Sequence, residues 1–375
     1  AVCFVAALCP AVDLADAKRA HQAAKKEWEA ANPKVKGELP LPLPAGLNAN
    51  EVVDIKVTGD CSRRIDILFI SADFPDAKRK DFEAQAKKLS DFILQVEPWG
   101  RYRDYLNFRS MWLPHNAVGA KAHGDAVISD FGKVHAYSQL ASDCDLPVVL
   151  FNIKGGRATN SSWANPNFEL SIRSAYITLQ AENDVVVLAH EMGHGWGWLA
   201  DEYIDPVSAM RYPLTSPGPI WLMPNVCWEC SGDWKKTKWN YWNMPDDPQV
   251  RKPDTAIACI EGGHYRPKGV WRPSDNSLMN NHTKSKAYNL PSLEAVERRF
   301  YEYVSPIDSH RPRESNILLF NNEKQKFETT ILMLSGNWDD IGKMTPLFIV
   351  DGEEVSLTRG NKSVSIYLEA NKLDA

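Results

Sequence analysis

The chain has 375 residues, 44% of them hydrophobic and 24% charged, and a formal net charge of −5. That length holds one large domain with additions, or two domains, and the composition is that of an ordinary globular chain. The acidic balance, with no Lys/Arg block, speaks against a nucleic-acid surface, and no apolar stretch is long enough to predict a transmembrane segment.

Ala1 to Val12 is apolar and rich in Ala and Val. It reads as the apolar core of a secretory signal peptide, with Ala15-Asp16-Ala17 as a small-x-small cleavage site, so residues 1–17 are assigned to the signal and the protein is expected to be secreted. Leu14 to Asn32 predicts a solvated helix ended by Pro33, and Leu39 to Pro44 a Pro-rich extended linker. Helix and linker fill 18–48, and the main domain is expected over 49–312. Val52 to Val57 predicts an edge strand and Arg64 to Ser71 a more apolar one. A helix follows from Pro75 to Val96, with Phe82, Ala86, Leu89 and Ile93 on one face. Asn107 to Leu113 predicts a strand, Phe131 to Leu140 a helix, and Pro147 to Lys154 a buried strand. Phe168 to Gln180 is strand-rich. This order is α/β, compatible with a twisted sheet behind a cleft.

Next comes the apolar run Val185 to Ala189, leading into His190-Glu191-Met192-Gly193-His194. On a helix, positions i and i+4 share one face, so His190 and His194 can hold one metal ion between them. Two neutral imidazoles suit zinc, and Glu191 beside them suits a general base for the water on that zinc. Asn183 or Asp184 can cap the helix, and Gly195 and Gly197 are expected to break it. Catalytic zinc takes a third protein ligand. Asp201, Glu202 and Asp205 are the acids within reach; Asp201 is preferred, Glu202 is the substitute, and His264 or His282 would serve if no acid does.

Tyr203 to Asp275 is rich in Pro, Gly and Trp with little periodicity. Its tryptophans are expected to form the core of a lower subdomain; the rival reading is an aromatic wall for peptide or glycan. Arg272 to Asn280 is a tight polar turn carrying one methionine, Met279. Pro291 to Val304 predicts a helix with Leu293, Val296 and Phe300 on one face. From residue 313 to 375 short strands and the Asp351-Gly352 hairpin signal predict a small β-sandwich-like module. Among the cysteines, Cys259 is expected to bond one of the pair Cys227 and Cys230. Cys61 and Cys144 each precede a predicted strand, and would meet if those strands were parallel neighbours.

The chain resembles the bacterial IgA peptidase family of secreted, metzincin-like zinc peptidases. The residues that carry the likeness are His190-Glu191-Met192-Gly193-His194, Leu199-Ala200-Asp201-Glu202-Tyr203, Arg64 to Ile70 and Ser277-Leu278-Met279. Metzincins read His-Glu-x-x-His-x-x-Gly-x-x-His. Gly197 fits that glycine, whereas Ala200 stands where the third His would be and Asp201 follows it. The resemblance implies an α/β (α+β) zincin fold with a twisted sheet and active-site helix. It also implies one catalytic Zn2+ on His190, His194 and Asp201, a Met-turn at Met279 and endopeptidase activity on a protein or glycoprotein substrate. Two rivals remain at this level. One is a zinc amidohydrolase acting on non-peptide amides; the other is an adhesin with a decayed site, against which the intact Glu191 argues.

Overall fold

The computed structural model describes residues 51–304 apart from 116, 120, 124–125, 139, 142–143, 154–156, 163–174, 181–184, 212–222, 229 and 243–256; beyond them it describes the strands 307–311, 324–331, 348–350, 353–355, 358–359 and 363–369. The expected signal, N-terminal helix and linker lie outside the described residues, as do the cap candidates Asn183 and Asp184 and the Asp351-Gly352 turn.

The protein is mixed α/β. Its main sheet comprises β1 (Val52–Lys56), β2 (Ile65–Ala72), β3 (Leu106–Met111), β6 (Leu146–Phe151), β7 (Thr159–Ser162) and β8 (Ala175–Gln180), in the order β1-β3-β2-β6-β8-β7. The four inner strands run parallel, and the outer strands β1 and β7 are antiparallel to their neighbours. A short hairpin, β4 (Lys121–His123) with β5 (Ala126–Ile128), forms a ladder of its own, bridged at Ala126 to Arg157, and has no counterpart in the sequence expectations.

Parallel strands are covered on both faces, which is why β2 is apolar along nearly its whole length and buried at all eight positions. Successive side chains point to opposite faces. Ile65, Ile67 and Phe69 join one core and Leu68 and Ile70 another. The first core is capped by α1 (Arg79–Ile93), α3 (Val185–Gly197) and α5 (Leu290–Tyr303). The second is covered by α2 (Phe131–Ser138) through Val134 and Tyr137. Phe82, Ala86, Leu89 and Ile93 are all buried, as the expected helix face requires.

After α3 the chain forms α4 (Pro206–Arg211) and an antiparallel hairpin of β9 (Ile260–Gly263) and β10 (Arg266–Arg272), in a stretch whose sequence shows little periodicity. Trp239 is fully buried beside Cys227 and Cys230, in keeping with a subdomain core, while Trp234 remains exposed. At the C-terminal end, β11 (Ile307–Arg311), β12 (Lys324–Ile331), β15 (Thr358–Arg359) and β16 (Ser363–Glu369) form an antiparallel sheet ordered β11-β12-β16-β15. A separate hairpin pairs β13 (Phe348–Val350) with β14 (Glu353–Val355). Among the described residues, no helix is long and apolar enough to cross a membrane.

Candidate metal centre

Helix α3 is apolar on most sides because it lies in the core. Val186, Leu188, Ala189, Met192 and Trp196 are buried, and the Trp196 indole N–H donates to the Val296 carbonyl of α5 at 3.2 Å. The helix does not break at Gly195; it runs to Gly197, and the left-handed residue that ends it is Trp198, with φ 55°. Two of its glycines serve close packing instead. A Cβ on Gly193 would stand 2.7 Å from the Met279 sulfur, and one on Gly197 would stand 2.8 Å from Val296 Cγ2. The Arg299 guanidinium lies 5.7 Å from the Trp198 ring centroid.

Once reversed, the chain is clamped by Asn225. Its side chain accepts from the Ala200 N–H at 2.7 Å and donates to the Ala200 carbonyl at 2.9 Å. The next residue, Asp201, therefore meets the helix. Its Oδ1 lies 3.0 Å from His190 Nε2 and 3.2 Å from His194 Nε2, and the two Nε2 atoms are 3.1 Å apart. The other ring nitrogens face backbone carbonyls: His190 Nδ1 the Leu278 oxygen at 2.9 Å, His194 Nδ1 the Leu199 oxygen at 2.6 Å. Each Nδ1–H thus donates to a carbonyl, which leaves both Nε2 lone pairs for a ligand. His190, His194 and Asp201 form the one group of its kind among the described residues, and it could hold a metal ion.

The electrostatics fit that arrangement. Burial disfavours charge on both histidines, but the Asp201 carboxylate outweighs it, raising His190 and lifting His194 to about 9. Burial would raise Asp201 too, yet the histidines hold it well below the usual carboxylate range. The three groups share charge in a buried setting, and a cation would take the place of their protons. Burial raises Glu191 above an ordinary carboxyl, with the two histidines opposing.

Glu202 does not face the metal group. It is fully buried, and its carboxylate accepts from Asn225 Nδ2 at 2.8 Å, Ser277 Oγ at 2.6 Å and Asn289 Nδ2 at 2.8 Å. Its backbone N–H donates to the Met279 carbonyl at 2.8 Å. Glu202 thereby ties the turn at Ser277-Leu278-Met279 to the loop that carries Asp201, and the same turn supplies the Leu278 carbonyl to His190. Met279 is buried under the helix. Asp205 is occupied as well: it caps α4, accepting from the Val207 N–H at 3.0 Å and Ser208 Oγ at 2.5 Å.

Tyr288 is buried and its hydroxyl donates to the Ala189 carbonyl inside α3. The His282 ring centroid is 6.0 Å from that of His190. Burial, then Arg266, lowers His264 to about 4. The sequence reading missed Asn225, Asn289 and Tyr265, whose hydroxyl lies 2.5 Å from Asp201 Oδ2. Asn289 shows in sequence only as the cap of α5, and Tyr265 only as a ring between Gly262-Gly263 and Gly269. Cys61 and Cys144 are free thiols, although β2 and β6 are indeed parallel neighbours. No protein-family model and no curated protein matches the chain.

Proposed function

We propose that the chain is a secreted zinc-dependent endopeptidase acting on protein or glycoprotein substrates, with His190, His194 and Asp201 as metal ligands and Glu191 as general base. The observation that carries this reading is the spacing of the three ligand atoms, 3.0, 3.1 and 3.2 Å. Tetrahedral zinc with bonds of about 2.0–2.1 Å separates its ligand atoms by about 3.3 Å, so the three side chains match one face of such a tetrahedron. Two imidazoles and one carboxylate are a donor set that catalytic zinc takes, with the fourth position left to water or substrate.

A zinc ion bound there supplies a Lewis acid and makes water acidic enough to be deprotonated near neutral pH. Glu191 is buried next to the ligand histidine, and burial has moved its carboxyl up toward the working range of a general base. Its carboxylate takes the proton of the attacking water and delivers it to the departing amine nitrogen. The Leu278 and Leu199 carbonyls keep both imidazoles turned so that Nε2 faces inward throughout. The metzincin-like fold rests on the same ground: the ligand order along the chain, and Met279 packed beneath α3.

The test uses the full chain. Zinc content is measured first, and then peptides released from a mixed protein digest are identified by mass spectrometry, with a chelated control. Glu191→Gln should keep stoichiometric zinc and lose roughly 10²- to 10⁴-fold in turnover. An active Glu191→Gln enzyme would sink the mechanism. Cleavage of small amides but of no peptide would favour the amidohydrolase reading instead.

A further inference from the structure

We propose that Tyr265 is a positioning residue that fixes Asp201 as a one-oxygen metal ligand, an inference that rests on the metal reading of His190, His194 and Asp201. The two oxygens of Asp201 have different surroundings. Oδ1 faces both histidine Nε2 atoms. Oδ2 accepts a 2.5 Å hydrogen bond from the Tyr265 hydroxyl. A bond to a charged acceptor is among the stronger kinds, and this one occupies the oxygen that would otherwise swing toward the ion.

The hairpin that carries Tyr265 is built in an unusual way. Gly263 pairs with Arg266, which leaves His264 and Tyr265 as a two-residue turn. Both have positive φ, 46° and 71°. Tight hairpins of this hand prefer Asn-Gly, because bulky side chains are strained there. Two ring residues in those places are a poor choice for the turn itself. Strain of this kind persists where the surroundings over-determine it, and here they do. The His264 N–H donates to the Asp201 carbonyl at 2.8 Å, the Tyr265 N–H to the Tyr203 carbonyl at 3.0 Å, and the Asp205 N–H to the Tyr265 carbonyl at 2.9 Å. The turn is laced to the ligand loop on both sides of the tyrosine.

Packing alone does not explain the phenol. The Tyr265 ring lies edge-on to Tyr203, with centroids 5.5 Å apart, and tilts against His264 at 5.1 Å. Phenylalanine would fill that space equally well. Only the hydroxyl reaches Asp201, and an outer partner of a metal ligand sets both its orientation and its basicity.

The experiment measures zinc affinity by competition with a chelator, and the visible absorption of the cobalt(II) form, for the wild-type chain, Tyr265→Phe and a control, Tyr241→Phe, whose hydroxyl bonds Glu294. Tyr265→Phe should bind zinc about 10- to 100-fold more weakly and shift the cobalt bands, and the melting temperature of its metal-free form separates any loss of folding from the loss of metal. Tyr241→Phe should match wild type. Should Tyr265→Phe fail to fold, Tyr265→Asn suits the left-handed turn and still removes the phenol, and the same loss is expected. Equal affinity and an unchanged cobalt spectrum in the Tyr265 variants would overturn the inference and leave the metal reading standing. A wild-type chain that takes up neither metal would overturn both.

Discussion

Gly193 and Met279 pack so closely that a Cβ on the glycine would stand 2.7 Å from the methionine sulfur, and 3.0 Å from Tyr288 Cε1. Gly193, on the helix between His190 and His194, is thus a contact point with the turn below, with no room for a methyl group. Gly193→Ala should destabilise the metal-free protein by about 1–3 kcal/mol, the usual cost of overpacking, even though alanine favours helix. Calorimetry of the metal-free chain checks this; an unchanged or raised melting temperature would show that the turn yields easily.

Asp201 and Glu202 are neighbours with separate work, and their variants should separate. Asp201→Ala should empty the site after dialysis against a mild chelator, because it removes one of the three proposed ligands. Glu202→Ala should cost about 3 kcal/mol or more in stability, since it strands buried donors on Asn225, Ser277 and Asn289. Its folded fraction should still retain zinc. Loss of zinc from Glu202→Ala alone would show that the ligand assignment is one residue out.

Cys230 and Cys259 have their sulfurs 3.1 Å apart, whereas the Cys227 sulfur faces the Lys236 carbonyl at 3.8 Å. In an oxidising medium the first two should form the disulfide. Two thiols then lose two electrons and two protons to an oxidant such as glutathione disulfide, which is reduced to two thiols. Burial raises the pKa of both, so uncatalysed oxidation should be slow. Peptide mapping without reductant should find Cys230 joined to Cys259 and Cys227 alkylated. Closing that loop should add about 3–4 kcal/mol of stability by the chain-entropy argument. A map joining Cys227 to Cys259 would contradict the geometry.

Glu297 offers a pH test away from the metal group. Burial raises its carboxyl to about 6, with the Arg101 guanidinium 2.6 Å away opposing the rise. The folded state therefore holds this proton more tightly than the unfolded chain does. Its contribution is complete below the unfolded value, near 4.5, and is lost as the pH rises through 6. Glu297→Gln should match wild type near pH 4 and be more stable at pH 7.5, by at most about 2 kcal/mol and less because the side chain is partly solvated. A melting-temperature difference that stays constant across that range would refute the assignment.

Much of this protein could be read directly from residue order. The helical spacing of His190 and His194 follows from 3.6 residues per turn, and the apolar run before them marks a helix buried on most sides. The faces of α1 and α5 were legible because their periodicity is local, and β2 and β6 because each is a short apolar run buried at every position, while their parallel pairing came only with the fold. Asp201 could be preferred among three acids, but only folding distinguished them, by turning Asp201 inward, burying Glu202 among amides and spending Asp205 on the cap of α4.

What the tertiary structure alone decided involves partners far apart in the chain. Tyr265 reaches Asp201 across 64 positions, and Asn289 reaches Glu202 across 87. The Leu278 carbonyl that orients His190 comes from 88 residues away. No periodicity encodes such pairings, because they arise when a hairpin, a turn and a helix end are packed onto one another. Gly197 makes the same point: in sequence it reads as a helix breaker, and in the fold it is the clearance that lets Val296 come close. Local geometry placed the two histidines, and close packing between distant segments completed the site around them.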